Sequence, residues 1–554
     1  CQGREHTQRL LFRPVRRFFP LSTKGMITVI QNNNLPRVAL PVLFRRFSGG
    51  QGGAFFPAAR VQAGEKQKEG LSFEQCHSNI FPLGRGAGRI MEDAGKVLLF
   101  EKTSIPKAVM KLAVPTVLSS LVTVLYNLAD TYFVGMLNDP VENAAVTLAA
   151  PVLLAFNAIN NLFGVGSSSM MSRALGRRDY DTVYRSSAFG FYCSIFFGLL
   201  FSVFYTAFSG PLLTLLGASA ETAGATAAYL KWTVSWGAAP AILNVVMAYL
   251  VRAEGSALHA SVGTMSGCLL NIVLDPVFVL PWGFHMGAEG AGLATFISNC
   301  VACLYFFVLL FVKRGKTYVC IRPSMFRLNR SIVVGVCSVG IPASIQNLLN
   351  VTGMTVLNNF TAAFGADAVA AMGITQKINM VPTYISMGLS QGIMPLISYN
   401  YASGNVKRMK KTVTFSVKLA LGFVLLVSAL YFVGADFLVR MFMESESIVA
   451  YGASFLRGFC LGLPFLCVDF LAVGVFQATG MGRESFLFAI LRKIVLEIPA
   501  LCLLNFLFPL YGLAYAQLVA EVILSIAAVV VLARLFRRLQ KNADTPPEKK
   551  QAEA

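Results

Sequence analysis

Twelve apolar runs, each long enough to cross a bilayer, follow one another from residue 111 almost to the C-terminus. They fall near 111–137, 145–172, 186–208, 226–251, 258–281, 288–312, 332–362, 368–400, 412–435, 449–478, 485–508 and 512–534. A hydrocarbon core of about 30 Å needs roughly 20 apolar residues rising 1.5 Å each. Lipid offers no partner for an open strand edge, so spanning segments of this length must be helices. The expected fold is an all-α membrane protein. Composition points the same way, since only 13% of the residues are charged and mean hydropathy is +0.62, whereas soluble domains carry about 25% charged residues.

The net charge of +20 is placed as orientation signals are placed, not as a nucleic-acid surface. One set of connections carries Arg173, Arg177, Arg178 and Arg185, then Arg252, then Lys313, Arg314, Lys316, Arg322, Arg327 and Arg330, then Lys407, Arg408, Lys410 and Lys411. Arg483, Arg534, Arg537 and Arg538 fall on the same side. The opposite connections, such as Asn138-Asp139-Pro140 and Gly365-Ala366-Asp367, are almost free of Lys and Arg. The basic side is expected to be cytoplasmic, with both termini inside a bacterial-type plasma membrane.

Residues 1–90 differ from the rest. They hold 14 Lys/Arg against 4 acids and no apolar run of spanning length. The expectation is a disordered or non-native extension, with translation starting at Met91. The domains that follow are a first lobe over 91–312, a linker over 313–331, a second lobe over 332–535 and a tail over 536–554. Of the eleven cysteines, Cys300 and Cys303 form a CxxC inside an apolar run without a second pair or a histidine, which reads as packing.

The halves repeat. Val114-Pro115 in the first span matches Ile341-Pro342 in the seventh, and Arg252-Ala253-Glu254-Gly255 matches Gln477-Ala478-Thr479-Gly480. Six spans per half makes the repeats parallel, related by an axis along the membrane normal, with a cavity between them. Two lobes rocking about a central cavity are what an alternating-access carrier needs.

Ionisable groups in lipid are costly and therefore informative. Asp130 in span one, Asn271 and Asp275 in span five and Thr295 in span six all fall in the outer half of the bilayer by residue counting. Asn271 and Asp275 are four apart and share a helix face. Two carboxylates, an amide and a hydroxyl at one depth suit a proton or a small hard cation such as Na⁺. The plainer alternative is that Asp130 caps the outer end of its helix and Asp275 ends one before Pro276.

These residues, in order, resemble a known family. Pro115 to Asp130-Thr131 with Gly135, Arg252-Ala253-Glu254-Gly255 followed by Asn271-Ile272-Val273-Leu274-Asp275-Pro276, and Gly290-Ala291-Gly292-Leu293-Ala294-Thr295 are similar to the multidrug and toxic compound extrusion (MATE) transporters. The resemblance covers about 100–535. It implies twelve helices in a V-shaped pair of six-helix lobes and export driven by H⁺ or Na⁺. It also implies an ion site at Asp130, Asn271, Asp275 and Thr295, and a helix that bends at Pro115. Some members carry a Glu in span seven for a second-lobe cation site; this chain offers Gln346, Asn350 and Asn358 there, which puts that site in doubt.

Gln346, Asn350, Lys377 and Asp469 are candidate polar residues of the cavity. Glu497 is expected to pair with Arg492 or Lys493, and Glu521 has no evident partner. Methionines and aromatics suit flat apolar cations, though they also simply fill helix interfaces. The expected cargo is amphipathic organic cations, carried by a monomer in the lipid bilayer with no cofactor, no nucleic acid and no metal beyond a coupling Na⁺. A lipid-linked oligosaccharide flippase of the same superfamily is the nearest alternative, and it would be expected to line its cavity with several Arg or Lys. HExxH and phosphate-loop motifs are absent, so the chain does not read as an enzyme.

Overall fold

The computed structural model describes residues 97–137 and 139–544; the extension expected over 1–90 lies outside the described residues. In the first half, α1 (Ile105–Gly135), α2 (Pro140–Gly176) and α3 (Tyr180–Leu215) each form one span. The fourth span is α4 (Thr222–Leu230) and α5 (Ala238–Ala253), joined through a π turn at Lys231–Trp236 and bent by 51°. The half closes with α6 (Ala257–Val279) and α7 (Gly287–Val312). The second half contains α8 (Arg330–Ala362), α9 (Ala366–Ala402), α10 (Val406–Val433), the short α11 (Ala435–Arg440) and α12 (Glu446–Thr479). Its fifth span is α13 (Gly482–Ile490) and α14 (Ile498–Leu507) around a second π turn at Leu491–Glu497, and α15 (Leu513–Asp544) is its sixth. The final helix continues to Asp544 rather than ending at 535.

Among the described residues twelve spans result, each over one of the predicted apolar runs. Ten are apolar enough to be read as spans by length and hydropathy alone, counting the bent fourth as one. The other two, α9 and the α13–α14 pair, carry Gln376, Lys377 and Gln391, and Arg492, Lys493 and Glu497, respectively. Those two spans supply the cavity and a buried ion cluster described below.

Local sequence sets the helix starts. Asp139, Asp179, Asn329 and Asn405 accept from the backbone N–H of Val141, Thr182, Ser331 and Arg408 at 2.8, 3.1, 3.0 and 3.1 Å. Each is an N-cap satisfying one orphan donor. Prolines inside helices, Pro115 and Pro342 among them, are tolerated where neighbouring helices cover the freed carbonyls.

The halves meet along α2 against α8 and along α1 and α2 against α9. Small residues permit the approach, as in other membrane helix pairs. A Cβ on Gly392 of α9 would stand 2.9 Å from the Ala113 Cα, and one on Gly166 of α2 would collide with the Val336 carbonyl. Hydrogen bonds add to this seam. Ser169 donates to the Gln477 carbonyl at 2.5 Å, Ser344 to the Ala158 carbonyl at 2.5 Å, and Arg252 to Gln391 at 3.4 Å. Among the described residues, the side-chain hydrogen bonds joining the halves lie from mid-depth toward the basic face.

The connection between the halves is fastened to the first half. Glu254 accepts from the Thr317 hydroxyl at 2.9 Å and the Tyr318 N–H at 2.7 Å. Ser187 donates to the Cys320 carbonyl and Tyr192 to the Ile321 carbonyl. Gly255 follows at φ +89° with the Phe100 ring against it, a position and a conformation that a side chain would strain.

Candidate ion-coupling site and inter-half cavity

The four residues at one sequence depth are brought together by α1, α6 and α7. Asn271 donates to the Thr295 hydroxyl at 3.3 Å. Asp275 is fully buried and Asn271 nearly so. Both oxygens of Asp275, Oδ1 of Asn271 and Oδ1 of Asp130 are buried without a hydrogen-bond partner among the described residues. Asp130 and Asp275 lie close enough to repel each other when ionised. Several orphaned acceptors around two carboxylates are costly unless something positive joins them. A proton or a Na⁺ fits this donor set.

Two tyrosines belong to the site and were not found from sequence. Tyr126 lies within reach of Thr295, and Tyr126 and Tyr229 sit within electrostatic reach of both carboxylates. Tyr126 had a local signal, being one helical turn before Asp130 on the same face. Tyr229 had none, because it arrives from the fourth span. Gly292 explains that arrival: a Cβ there would stand 2.8 Å from the Tyr229 carbonyl, so only glycine lets α4 close on α7.

Between the halves, toward the basic face, lies a cavity of about 100 Å³. Six carboxamides line it: Asn161 from α2, Gln346, Asn347 and Asn350 from α8, Gln391 from α9 and Gln477 from α12. Tyr249, Phe470, Met387 and Met394 fill the gaps.

The sequence profile of the MatE family matches residues 115–277 and again 342–503, once in each half. The chain is 34% identical over 444 residues to the multidrug export protein MepA of Staphylococcus aureus, covering 79% of this chain and 96% of that protein. Among solved structures it is similar to an outward-facing multidrug resistance MATE family transporter of the MOP superfamily. The TM-score there is 0.76 at 26% identity, over 81% of this chain and 99% of that one. A MOP-superfamily transporter from Pyrococcus furiosus, described as having a binding pocket of reverse polarity, superposes with a TM-score of 0.75 at 27% identity, over 80% and 98%. The chain belongs to the MATE family. It is a multi-pass membrane transporter and not an enzyme, built of twelve helices in the V-shaped pair of lobes common to those structures.

Within this MATE transporter the halves are alike in fold and unlike in chemistry. The two family matches begin at Pro115 and Pro342, and in that register Asp130 corresponds to Leu357, while Asp275 falls at Leu501 or Cys502. The second half keeps its charges elsewhere. Arg492 lies 2.5 Å from Glu521 and 3.4 Å from Asp469, with its guanidinium over the Phe470 ring at 4.8 Å. Lys493 pairs with Glu497 at 2.6 Å. Asp469, Arg492 and Glu521 are each at most 4% exposed. The cluster grows from the π turn, a feature often found where a helix is reshaped for a purpose.

Three expectations change. Asp469 does not line the cavity, because a buried carboxylate takes the nearest cation, and Arg492 supplies it. Glu521, without a partner by sequence, is held by the same guanidinium. Lys377 is exposed and outside the cavity wall, while Gln346 and Asn350 are in it. Asn347, which the sequence reading passed over, joins them on the same face of α8.

Proposed function

We propose that this MATE transporter exports amphipathic organic cations from the cytoplasm in exchange for H⁺ or Na⁺, by alternating access. The observation that supports this reading is the carboxylate pair of Asp130, half-buried, and Asp275, fully buried, three of whose oxygens are buried without a hydrogen-bond partner beside the Asn271–Thr295 bond. With the pair ionised, a cationic cargo can balance it. An entering proton or Na⁺ balances it instead and releases the cargo. Pro115 in α1 leaves a backbone carbonyl without its helical N–H, which gives that helix a place to bend as Asp130 is neutralised.

Loop charges support an orientation with the basic face and both termini in the cytoplasm of a bacterial-type cell. In that orientation the seam near Ser169–Gln477 closes the inside. Similarity to the S. aureus multidrug export protein favours drug-like cargo. The flippase alternative is not favoured, because the cavity wall is built from amides rather than from Arg and Lys.

The test is ethidium efflux from cells expressing wild type, Asp130→Asn or Asp275→Asn, in Na⁺ or K⁺ buffer, with and without an uncoupler. Wild type should export, both variants should fail at equal expression, and the ion dependence names the coupling ion. Normal export by both variants would place coupling elsewhere.

A further inference from the structure

The amide-lined cavity has no acidic wall. Asn161, Asn347 and Asn350 make no side-chain hydrogen bond among the described residues, while Gln346 and Gln477 approach each other at only 3.5 Å. The charges nearest the lining stand behind it. Arg252 reaches Gln391 at 3.4 Å and lies over the Tyr249 ring at 5.4 Å, while Arg492, over Phe470, is already paired with Asp469 and Glu521. No carboxylate stands in this wall to hold an organic cation. The carboxylates that would attract it are in the first half, nearer the other face.

Each carboxamide offers two N–H donors and a carbonyl acceptor, and none changes charge with pH. Idle amides in a wall of Tyr, Phe and Met are a surface that pairs with N–H, O–H and C=O groups on a flat ring system. In the present conformation about 100 Å³ holds roughly three waters. Small-molecule sites need about 300 Å³ or more, so cargo occupies this site only when the halves part on the basic side.

We infer that this cavity is a second recognition subsite, which selects aromatic or heterocyclic cargo by its hydrogen-bonding groups and not by its charge. It rests on the export reading above and adds a division of labour. The carboxylates of the first half balance charge, and the amides of the seam read polar substituents. Cargo carrying aryl-amine or carbonyl groups is the favoured class, and zwitterionic or neutral members of that class should bind as well as cations.

Two permanent aromatic cations separate the effects. Ethidium carries two aryl-amine groups, and tetraphenylphosphonium carries no hydrogen-bonding group. Binding of each to the purified full chain would be measured for wild type and for the near-isosteric double variant Gln346→Met, Asn350→Leu, with efflux assayed in parallel. The loss of about two hydrogen bonds predicts roughly tenfold weaker ethidium binding, with tetraphenylphosphonium unchanged within about twofold, which also certifies the fold. Equal weakening of both probes, or of neither, overturns the subsite. Selective loss of ethidium binding without wild-type efflux would sustain the subsite and sink the export reading; efflux without selectivity would do the reverse.

Discussion

The Tyr399 hydroxyl donates to Glu101 Oε1 at 2.7 Å, joining α9 of the second half to the segment just ahead of the first span. The ring of Tyr399 also stacks on Phe100 at 4.9 Å between centroids. Arg408 donates to the carbonyls of Leu99, Phe100 and Thr103 at 3.4, 2.6 and 2.5 Å. A forked guanidinium suits several converging carbonyls, and these lie at the end of a single helical turn over 97–101, where carbonyls lack helical partners. The segment thereby clasps the basic ends of the two halves.

Opening that clasp should loosen the closed face. Arg408→Ala removes charge-assisted bonds together worth about 2 kcal/mol, a roughly 30-fold shift toward the separated state. Spin labels at Arg177 and Ser403, on a cysteine-free background, should report a longer and broader distance distribution than in the parent. An unchanged distribution would show that the glycine-packed seam alone holds the face shut.

Gly292→Ala should disturb the proposed ion site from outside it. The added methyl meets the Tyr229 carbonyl at 2.8 Å, an overpacking cost of about 1–3 kcal/mol. Thermal unfolding in detergent should shift downward and efflux should fall. Gly422→Ala, where nothing lies within 4 Å, is the control and should unfold no earlier than wild type.

The Arg492 cluster makes a prediction about rescue. Arg492→Met leaves Asp469 and Glu521 buried without their cation, at a cost of about 3–5 kcal/mol, and should give aggregated protein on size-exclusion chromatography. Adding Asp469→Asn and Glu521→Gln removes the stranded charges and should restore a monodisperse peak. A triple variant as aggregated as the single one would mean that Arg492 acts through packing on Phe470.

Tyr126→Phe keeps the ring and deletes the hydroxyl that lies near Thr295 and the two carboxylates. Efflux should persist, with the concentration of the proposed coupling ion for half-maximal export raised several-fold, as expected for the loss of one polar group at the site. Complete loss of efflux would promote Tyr126 from a positioning residue to a group that itself carries the proton.

The twelve spans were legible because lipid leaves one solution for a long apolar run, and twelve such runs admit little ambiguity. The polar first-half set was legible because Asp130, Asn271, Asp275 and Thr295 stand out against apolar neighbours and share a depth. Tyr229 was hidden, since tyrosine is ordinary in a membrane helix and only the missing side chain at Gly292 brings it close. Glu521 kept its partner concealed because Arg492 lies on another span, and counting along one helix cannot find a contact between two. Asp469 misled for the opposite reason: residue 470 faces the cavity, and its neighbour turns away by the 100° of one helical step.

The linker's allegiance has a consequence for how the chain is joined. Glu254, Ser187 and Tyr192 bind 317–321 to the first half, so the covalent link is a passenger of that half and not a pivot between the two. Motion must be borne by the packed seams of α1, α2, α8 and α9. Cut just before Arg330, the molecule would lose continuity but no surface on which the halves recognise each other, and two polypeptides made separately should find one another in the membrane and work as one.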